Sequence, residues 1–271
     1  MSNTLRERLA ATPLPLLESR MLMQHVLGVN RSWMISHDTD PLPDAAWARF
    51  DALAQRRLAG EPIAYLLGTR SFMEWDFEVG PAVLIPRPET ELLVETVLQA
   101  VADQARPRLV DLGTGSGAIA ISLALLRPDA EVHASDLSAG ALALAQRNAE
   151  RLGATVQFHQ GSWYEALPDG LQFDAIASNP PYISSNDPHL ELGDLRFEPP
   201  GALTDFQDGL SALRQLACNA PQWLRPGGVI WMEHGWNQAA TVRQYLREAG
   251  LSAVASLQDL AGIERISGAT L

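Results

Sequence analysis

At 271 residues, 46% hydrophobic and 19% charged, the chain has the balance of an ordinary soluble globular protein and room for two domains. Its formal net charge is −12, with 20 basic residues (all Arg) against 32 acidic ones. Residues 1–86 contribute eight Arg against ten acids and residues 87–271 contribute 12 against 22, so the acidity sits in the second part, where it opposes the phosphate neutralisation that nucleic acids require.

No apolar run has membrane-spanning length, and the N-terminal stretch MSNTLRERLAATP lacks the apolar centre of a signal peptide. The single cysteine, Cys218, forms no internal disulfide, and no Cys/His cluster has metal-ligand spacing. These features predict a cytoplasmic protein with no metal, no membrane and no nucleic-acid partner. Cys218 is expected as a small buried hydrophobe on a helix.

Residues 1–67 read as a small helical domain. Leu16, Leu22, Met23, Val26 and Leu27 recur at helical spacing. Asp44 stands as an N-cap after Pro43, ahead of the stripe Trp47, Phe50, Ala54 and Leu58, whose aromatic positions are expected in the core. Residues 68–86 alternate apolar and polar side chains at Phe72, Trp75, Phe77 and Val79, which predicts a short hairpin linking two domains. Residues 87–271 form the second domain. IPRPET opens it as a helix start, with Pro88 in the first turn and Glu89 and Glu91 at the positive end of the dipole.

Strands then alternate with helices, which predicts a parallel, doubly wound α/β sheet. Leu109–Leu112 is a buried strand running into a glycine-rich turn and an apolar helix. EVHASD is a second strand ending at Asp136, and Ser138 opens a helix closed by Gly153. TVQFHQGSW is a third strand ending near Trp163, FDAIAS a fourth, and Val229–Met232 a fifth after a helix from about Leu210 to Leu224. LSAVASLQD and ERISGAT end the chain as sheet-edge strands.

Three features carry chemistry. In DLGTGSGA, Gly113, Gly115 and Gly117, with Thr114 and Ser116 between them, let backbone and a helix N-terminus approach a ligand closely; with Ala118 the turn also fits the dinucleotide fingerprint, so it predicts an adenosine-containing cofactor without choosing one. Asp136, at the end of the next strand, is placed to accept both ribose hydroxyls, unless it only caps the following helix; Trp163 offers an adenine-stacking face or mere packing. SNPPYIS follows the fourth strand, and two prolines make it a rigid loop at the strand's carboxyl end, where open α/β sheets bind ligands. The Asn179 amide oxygen and the Pro180 carbonyl supply two acceptors, and Tyr182 a flat face, for a planar –NH2 group. A hydride-transfer enzyme has no need of such a loop; an enzyme that methylates an –NH2 does. The six His residues, His159 and His234 among them, read as structural.

Together DLGTGSGAIA, SNPPYI, IPRPETE, RFEPPGAL and MEHG resemble the release-factor glutamine methyltransferases, the PrmC/HemK family, over nearly the whole chain. The resemblance implies a class I S-adenosylmethionine-dependent methyltransferase fold, a Rossmann-like doubly wound sheet, with a small all-α N-terminal domain. It implies S-adenosyl-L-methionine as cofactor. The implied partners are class-1 peptide-chain release factors, methylated on the side-chain amide nitrogen of the Gln in their GGQ motif. Carried over by position, Gly113, Thr114, Gly115, Ser116 and Gly117 would cradle the methionine part of the cofactor, Asp136 the ribose and Trp163 the adenine, with Asn179 beside it. Asn179, Pro180, Pro181 and Tyr182 would hold the glutamine, with Arg87 and Glu89 beside the cleft. Ser162 stands where many relatives have Asp, which removes a carboxylate contact to the adenine amino group from the expectation. The alternatives are a DNA adenine amino-methyltransferase, which the acidic second part opposes; a non-catalytic adenosyl-cofactor-binding protein, which the intact Asn179 loop opposes; and an NAD dehydrogenase.

Overall fold

The computed structural model describes residues 4–271, so the first three residues of the expected helical segment lie outside the described part. The chain divides into two compact units, Met1–Thr69 and Arg70–Leu271. The first contains α1 (Leu5–Ala10), α2 (Leu16–Leu27), α3 (Arg31–Ser36), α4 (Asp44–Leu58) and α5 (Ile63–Leu67). Thr4 and Glu7 form a reciprocal capping box on α1, the Asn30 side chain caps α3, and Gly28 closes α2 in the left-handed conformation. The core of this unit gathers Leu22, Met23, Val26, Trp47, Phe50 and Ala54.

Some expectations here are corrected. Asp44 is the first helical residue, not the N-cap; Pro43 holds the cap position with extended backbone, and the Asp44 carboxylate adds only its charge to the first turn. Leu16 and Leu58 sit at helix ends, beyond the packed stripe, and are exposed.

Next along the chain, β1 (Thr69–Phe72) and β2 (Trp75–Glu78) pair as a two-stranded hairpin that, from Arg70 on, belongs to the second unit and buries Phe72 and Phe77. The segment 79–87 then runs without regular structure into a 3-10 turn at Pro88–Thr90 and α6 (Glu91–Ala100). The remaining elements are β3 (Arg108–Leu112), α7 (Ala118–Leu126), β4 (Glu131–Asp136), α8 (Ala139–Leu152), β5 (Gln157–Gln160), β6 (Phe173–Ser178), α9 (Pro200–Leu203), α10 (Ser211–Trp223), β7 (Leu224–Glu233), α11 (Ala239–Glu248), β8 (Ser252–Gln258) and β9 (Glu264–Thr270).

The sheet order is β5-β4-β3-β6-β7-β9-β8. Strands β3 to β7 run parallel, whereas β9 pairs antiparallel with β7 and β8 antiparallel with β9. The sheet is therefore mixed, and of the last two strands only β8 lies at an edge: β9 inserts between β7 and β8, burying Ile266 and Ala269. Side chains alternate between faces with the period of two that a strand imposes. Leu109, Ala175 and Ala177 pack toward α6 and α7, while Val110, Leu112 and Ile176 pack toward α10 and α11. Cys218 is exposed on α10, because Leu216, Ala217 and Ala220 take the inward face and turn position 218 to solvent.

Asn148 of α8, fully buried, joins the hairpin to the glycine turn. Its Oδ1 accepts from Glu78 N at 2.7 Å, and its Nδ2 donates to the carbonyls of Glu78 and Ser116, both at 3.0 Å. Asn148→Ala leaves these groups unpaired and should lower unfolding free energy by about 2–4 kcal/mol, read as a lower urea midpoint.

Candidate active site

The chain reverses its winding between β3 and β6, the neighbours at the switch point of the sheet, and there it opens a cavity of about 450 Å³ at their carboxyl ends. Ser178 Oγ donates to Leu112 O at 2.6 Å and ties the two strand ends together. One wall is the turn after β3. Gly113, Gly115 and Gly117 take φ of 80°, 56° and 83°, and the amides of Gly113 and Thr114 both donate to Ser135 O at the end of β4, at 2.8 and 2.9 Å. Gly113, Thr114, Gly115 and Ser116 line the cavity; Gly117 does not. Gly117 is required by packing, since a Cβ there would stand 2.6 Å from Ile121 Cδ1.

Asp136 and Leu137 continue the wall. The Asp136 carboxylate accepts from Gly115 N at 2.9 Å and from Ser138 N at 2.8 Å, so it holds the turn and the start of α8 while each oxygen keeps a lone pair. Burial raises its pKa, opposed by the Ser138 and Gly115 amides. Trp163 also lines the cavity, but it opens a 3-10 turn instead of ending a strand. β5 stops three residues earlier, where Gly161 (φ 153°) turns the chain and donates to Asp136 O at 3.0 Å. The indole lies against Gly113, where a Cβ would come within 2.9 Å of the ring, so the glycine there serves both backbone and ring. Ser162 faces the same space.

Beneath the turn lies Asp111, wholly buried, with Oδ2 accepting from Thr114 Oγ1 at 2.6 Å and the Ala120 amide also favouring its charged form. Burial pushes its carboxyl up to about 7 despite the Thr114 hydroxyl. The folded state thus holds this proton to higher pH than the unfolded chain, whose carboxyl titrates near 4. Stability therefore falls as pH rises from about 4 to about 7, by up to about 1.4 kcal/mol per pH unit from this group, and levels off above. Asp111→Asn should flatten that fall when urea midpoints are compared at pH 5 and pH 8.

The opposite wall comes from SNPPYIS, the 79–87 segment and RFEPP. Asn179 and Pro181 line the cavity, as do Arg87, Thr90, Pro199 and Gly201. The Arg87 guanidinium donates to Glu198 Oε1, and Ile85 N donates to Glu198 Oε2 at 2.9 Å, so one buried carboxylate staples IPR to RFEP. Asn179 Nδ2 donates to Thr90 Oγ1 at 3.1 Å, and Thr90 Oγ1 donates to Glu233 Oε2 at 2.6 Å. The Tyr182 hydroxyl donates to Glu233 Oε1 at 3.1 Å. Burial raises the pKa of Glu233, opposed by the two hydroxyls, and that of Tyr182, reinforced by Glu233.

Pro180 is buried and Tyr182 half-buried; neither lines the cavity, because the ring of Tyr182 packs inward with the α10/α11 core. Glu89 is exposed and off the cavity, turned outward by the 3-10 turn that brings Thr90 inward. The residue-type reading passed over Thr90, Glu198 and Glu233. Each stands inside a motif that carried the resemblance, and Glu233 had a further signal, an acid continuing a buried apolar strand.

The chain matches the Methyltransferase small domain over residues 88–195 and the PrmC N-terminal domain over residues 2–68. A solved methyltransferase from Pyrococcus furiosus shares the fold, with a TM-score of 0.56 at 20% identity over 80% of this chain and 95% of that one. The glycine turn and Asp136 at the switch point of such a sheet define a class I methyltransferase. Among relatives, a release factor glutamine methyltransferase from Bordetella pertussis is 60% identical over 98% of this chain and 99% of its own length. Another, from Burkholderia pseudomallei, is 52% identical over 99% and 96%. The chain belongs to the release factor glutamine methyltransferase family.

Proposed function

We propose that this protein methylates the side-chain amide nitrogen of the Gln in the GGQ motif of class-1 peptide-chain release factors, using S-adenosylmethionine. The observation that carries the reading is the single cavity shared by the Gly113–Ser116 turn, Asp136 and Asn179. Relatives of similar length bear the name of that activity.

The cavity fits the cofactor. A Cβ at Gly113 would fill the space the indole uses, Asp136 keeps acceptor capacity for ribose hydroxyls, and Leu84, Ile119 and Leu137 supply apolar surface. Thr114 and Ser116, with their backbone, flank the place of the methionine part, and Trp163 that of the adenine. When bound, S-adenosylmethionine supplies an electrophilic methyl group on a sulfonium.

The residues of this chain then act on the acceptor. An amide nitrogen is a weak nucleophile because its lone pair is delocalised into the carbonyl. Asn179 Oδ1, at the cavity wall, accepts one of its hydrogens, which fixes the nitrogen and concentrates charge on it. Pro181 and Tyr182 hold the loop rigid, and the Arg87–Glu198 pair keeps the facing wall closed. The nitrogen becomes strongly acidic only once methylated, so its proton leaves to water and no strong base is needed. Residues 1–67 dock the release factor. Among the described residues no helix is long and apolar enough to cross a membrane.

The test is labelled-methyl transfer to purified release factor, beside a release factor with GGQ changed to GGA and a duplex DNA. Label on the wild-type release factor alone supports the reading. Label on DNA alone points to an adenine amino-methyltransferase, and label on neither removes the assigned acceptor.

A further inference from the structure

We propose that Thr90 and Glu233 are positioning residues that set the direction of the Asn179 amide, so that its oxygen and not its NH2 meets the substrate nitrogen. This rests on the reading of Asn179 as acceptor for the glutamine amide.

The two ends of an Asn amide are nearly equal in shape and its last torsion is soft, so only hydrogen bonds choose between them. A hydroxyl has one proton. Thr90 Oγ1 donates to Glu233 Oε2 at 2.6 Å, and this bond, the Tyr182 hydroxyl and the charge of Arg265 favour the ionised carboxylate against its burial; an ionised carboxylate oxygen only accepts, so the Thr90 proton is committed there. What Thr90 turns toward Asn179 is a lone pair, at 3.1 Å, and the amide must meet it with Nδ2. The flipped amide would set two lone pairs against each other. Among the described residues Oδ1 is thereby left without a donor, as an acceptor at the cavity wall.

The same carboxylate takes the Tyr182 hydroxyl on its other oxygen at 3.1 Å. Both ends of the Asn179–Tyr182 loop are thus referred to one side chain at the end of β7. Glu233 is 1% exposed, and its hydrogen bonds within the described structure come from these two hydroxyls, with no ion pair. A buried carboxylate without a direct ion pair, even with the Arg265 charge acting on it, weakens a fold relative to an apolar side chain, so packing gives no reason for an acid here. An acceptor for two hydroxyl protons does.

The experiment uses the full-length protein with S-adenosylmethionine and intact release factor, reading kcat, KM, cofactor Kd and Tm. Thr90→Val keeps the shape of Thr90 and removes the hydroxyl that links Glu233 to Asn179; Thr90→Ser keeps the hydroxyl. Glu233→Gln presents an NH2 to one of the two hydroxyls and forces it to reverse. We expect Thr90→Val and Glu233→Gln to lose about 10- to 100-fold in kcat, with KM and cofactor Kd within about three-fold of wild type. Thr90→Ser should return to within about three-fold of wild type, and Glu233→Gln should keep or raise Tm while it loses turnover. A merely structural Glu233 would give the opposite pattern, a lower Tm with unchanged kcat, and that result overturns the proposal. So does a kcat within about three-fold of wild type in both Thr90→Val and Glu233→Gln. Asn179→Ala run in parallel separates the two ideas: if it alone is impaired, only the positioning role falls. If it too keeps its kcat, the Asn179 reading falls with it.

Discussion

Asn179→Ala should lower kcat by about 100-fold or more, equivalent to about 2.7 kcal/mol of transition-state stabilisation, while cofactor affinity stays within about three-fold. The asymmetry follows from what the side chain touches. Its Nδ2 is held by Thr90, and its Oδ1 is free for the acceptor, whereas the turn and the Asp136 carboxylate hold their own geometry without it. Truncation therefore removes an acceptor aimed at the reacting nitrogen and leaves the cofactor wall in place. Steady-state methyl transfer with a parallel titration of cofactor binding measures both numbers. A kcat within a few-fold of wild type would remove the amide clamp from the mechanism.

Deleting residues 1–67 should lower kcat/KM for intact release factor by at least about 100-fold, the loss that about 3 kcal/mol of docking contacts represents. The helical unit has an apolar core of its own, and it exposes Leu16, Leu17, Ile35 and Leu58, large apolar side chains of the kind used in protein recognition. The catalytic unit has separate cores on the two faces of its sheet, so the truncated chain should fold and bind the cofactor. A short peptide carrying GGQ tells docking from chemistry: it should be methylated equally slowly by the full and the truncated protein. Unchanged activity of the truncated protein on intact release factor would assign the docking elsewhere.

Much of this was legible from local rules. Ser138 caps α8 and Gly153 closes it, β4 ends at Asp136 and β6 at Ser178, all as capping and apolar run length indicate. The misreadings share one cause. The ERISGAT run reads as an edge strand because its sequence does not record that β8 covers it, and Cys218 reads as buried because composition does not say which way a helix face turns. The run before Trp163 reads as a longer strand than β5, because the early turn depends on Gly161 bonding to Asp136 on another strand.

The candidate site divides the same way. Gly113, Asp136 and Asn179 could be named from the chain because each ends a strand or follows one directly, and alternation of strand and helix places strand ends together at one edge of the sheet. Thr90, Glu198 and Glu233 could not be given partners from the chain. Thr90 lies 143 residues from Glu233, and Ile85 lies 113 from Glu198. Such pairings hang on sheet order and on the direction of single side chains, which no periodicity encodes. The amino-acid sequence by itself determined the class of fold, the family and a loop that lines the cavity, because these follow from local propensity and contiguous motifs. Only the folded chain brought a buried carboxylate to the hydroxyl that faces Asn179, because hydrogen bonding between distant segments is a matter of ångströms in space and not of order along the chain.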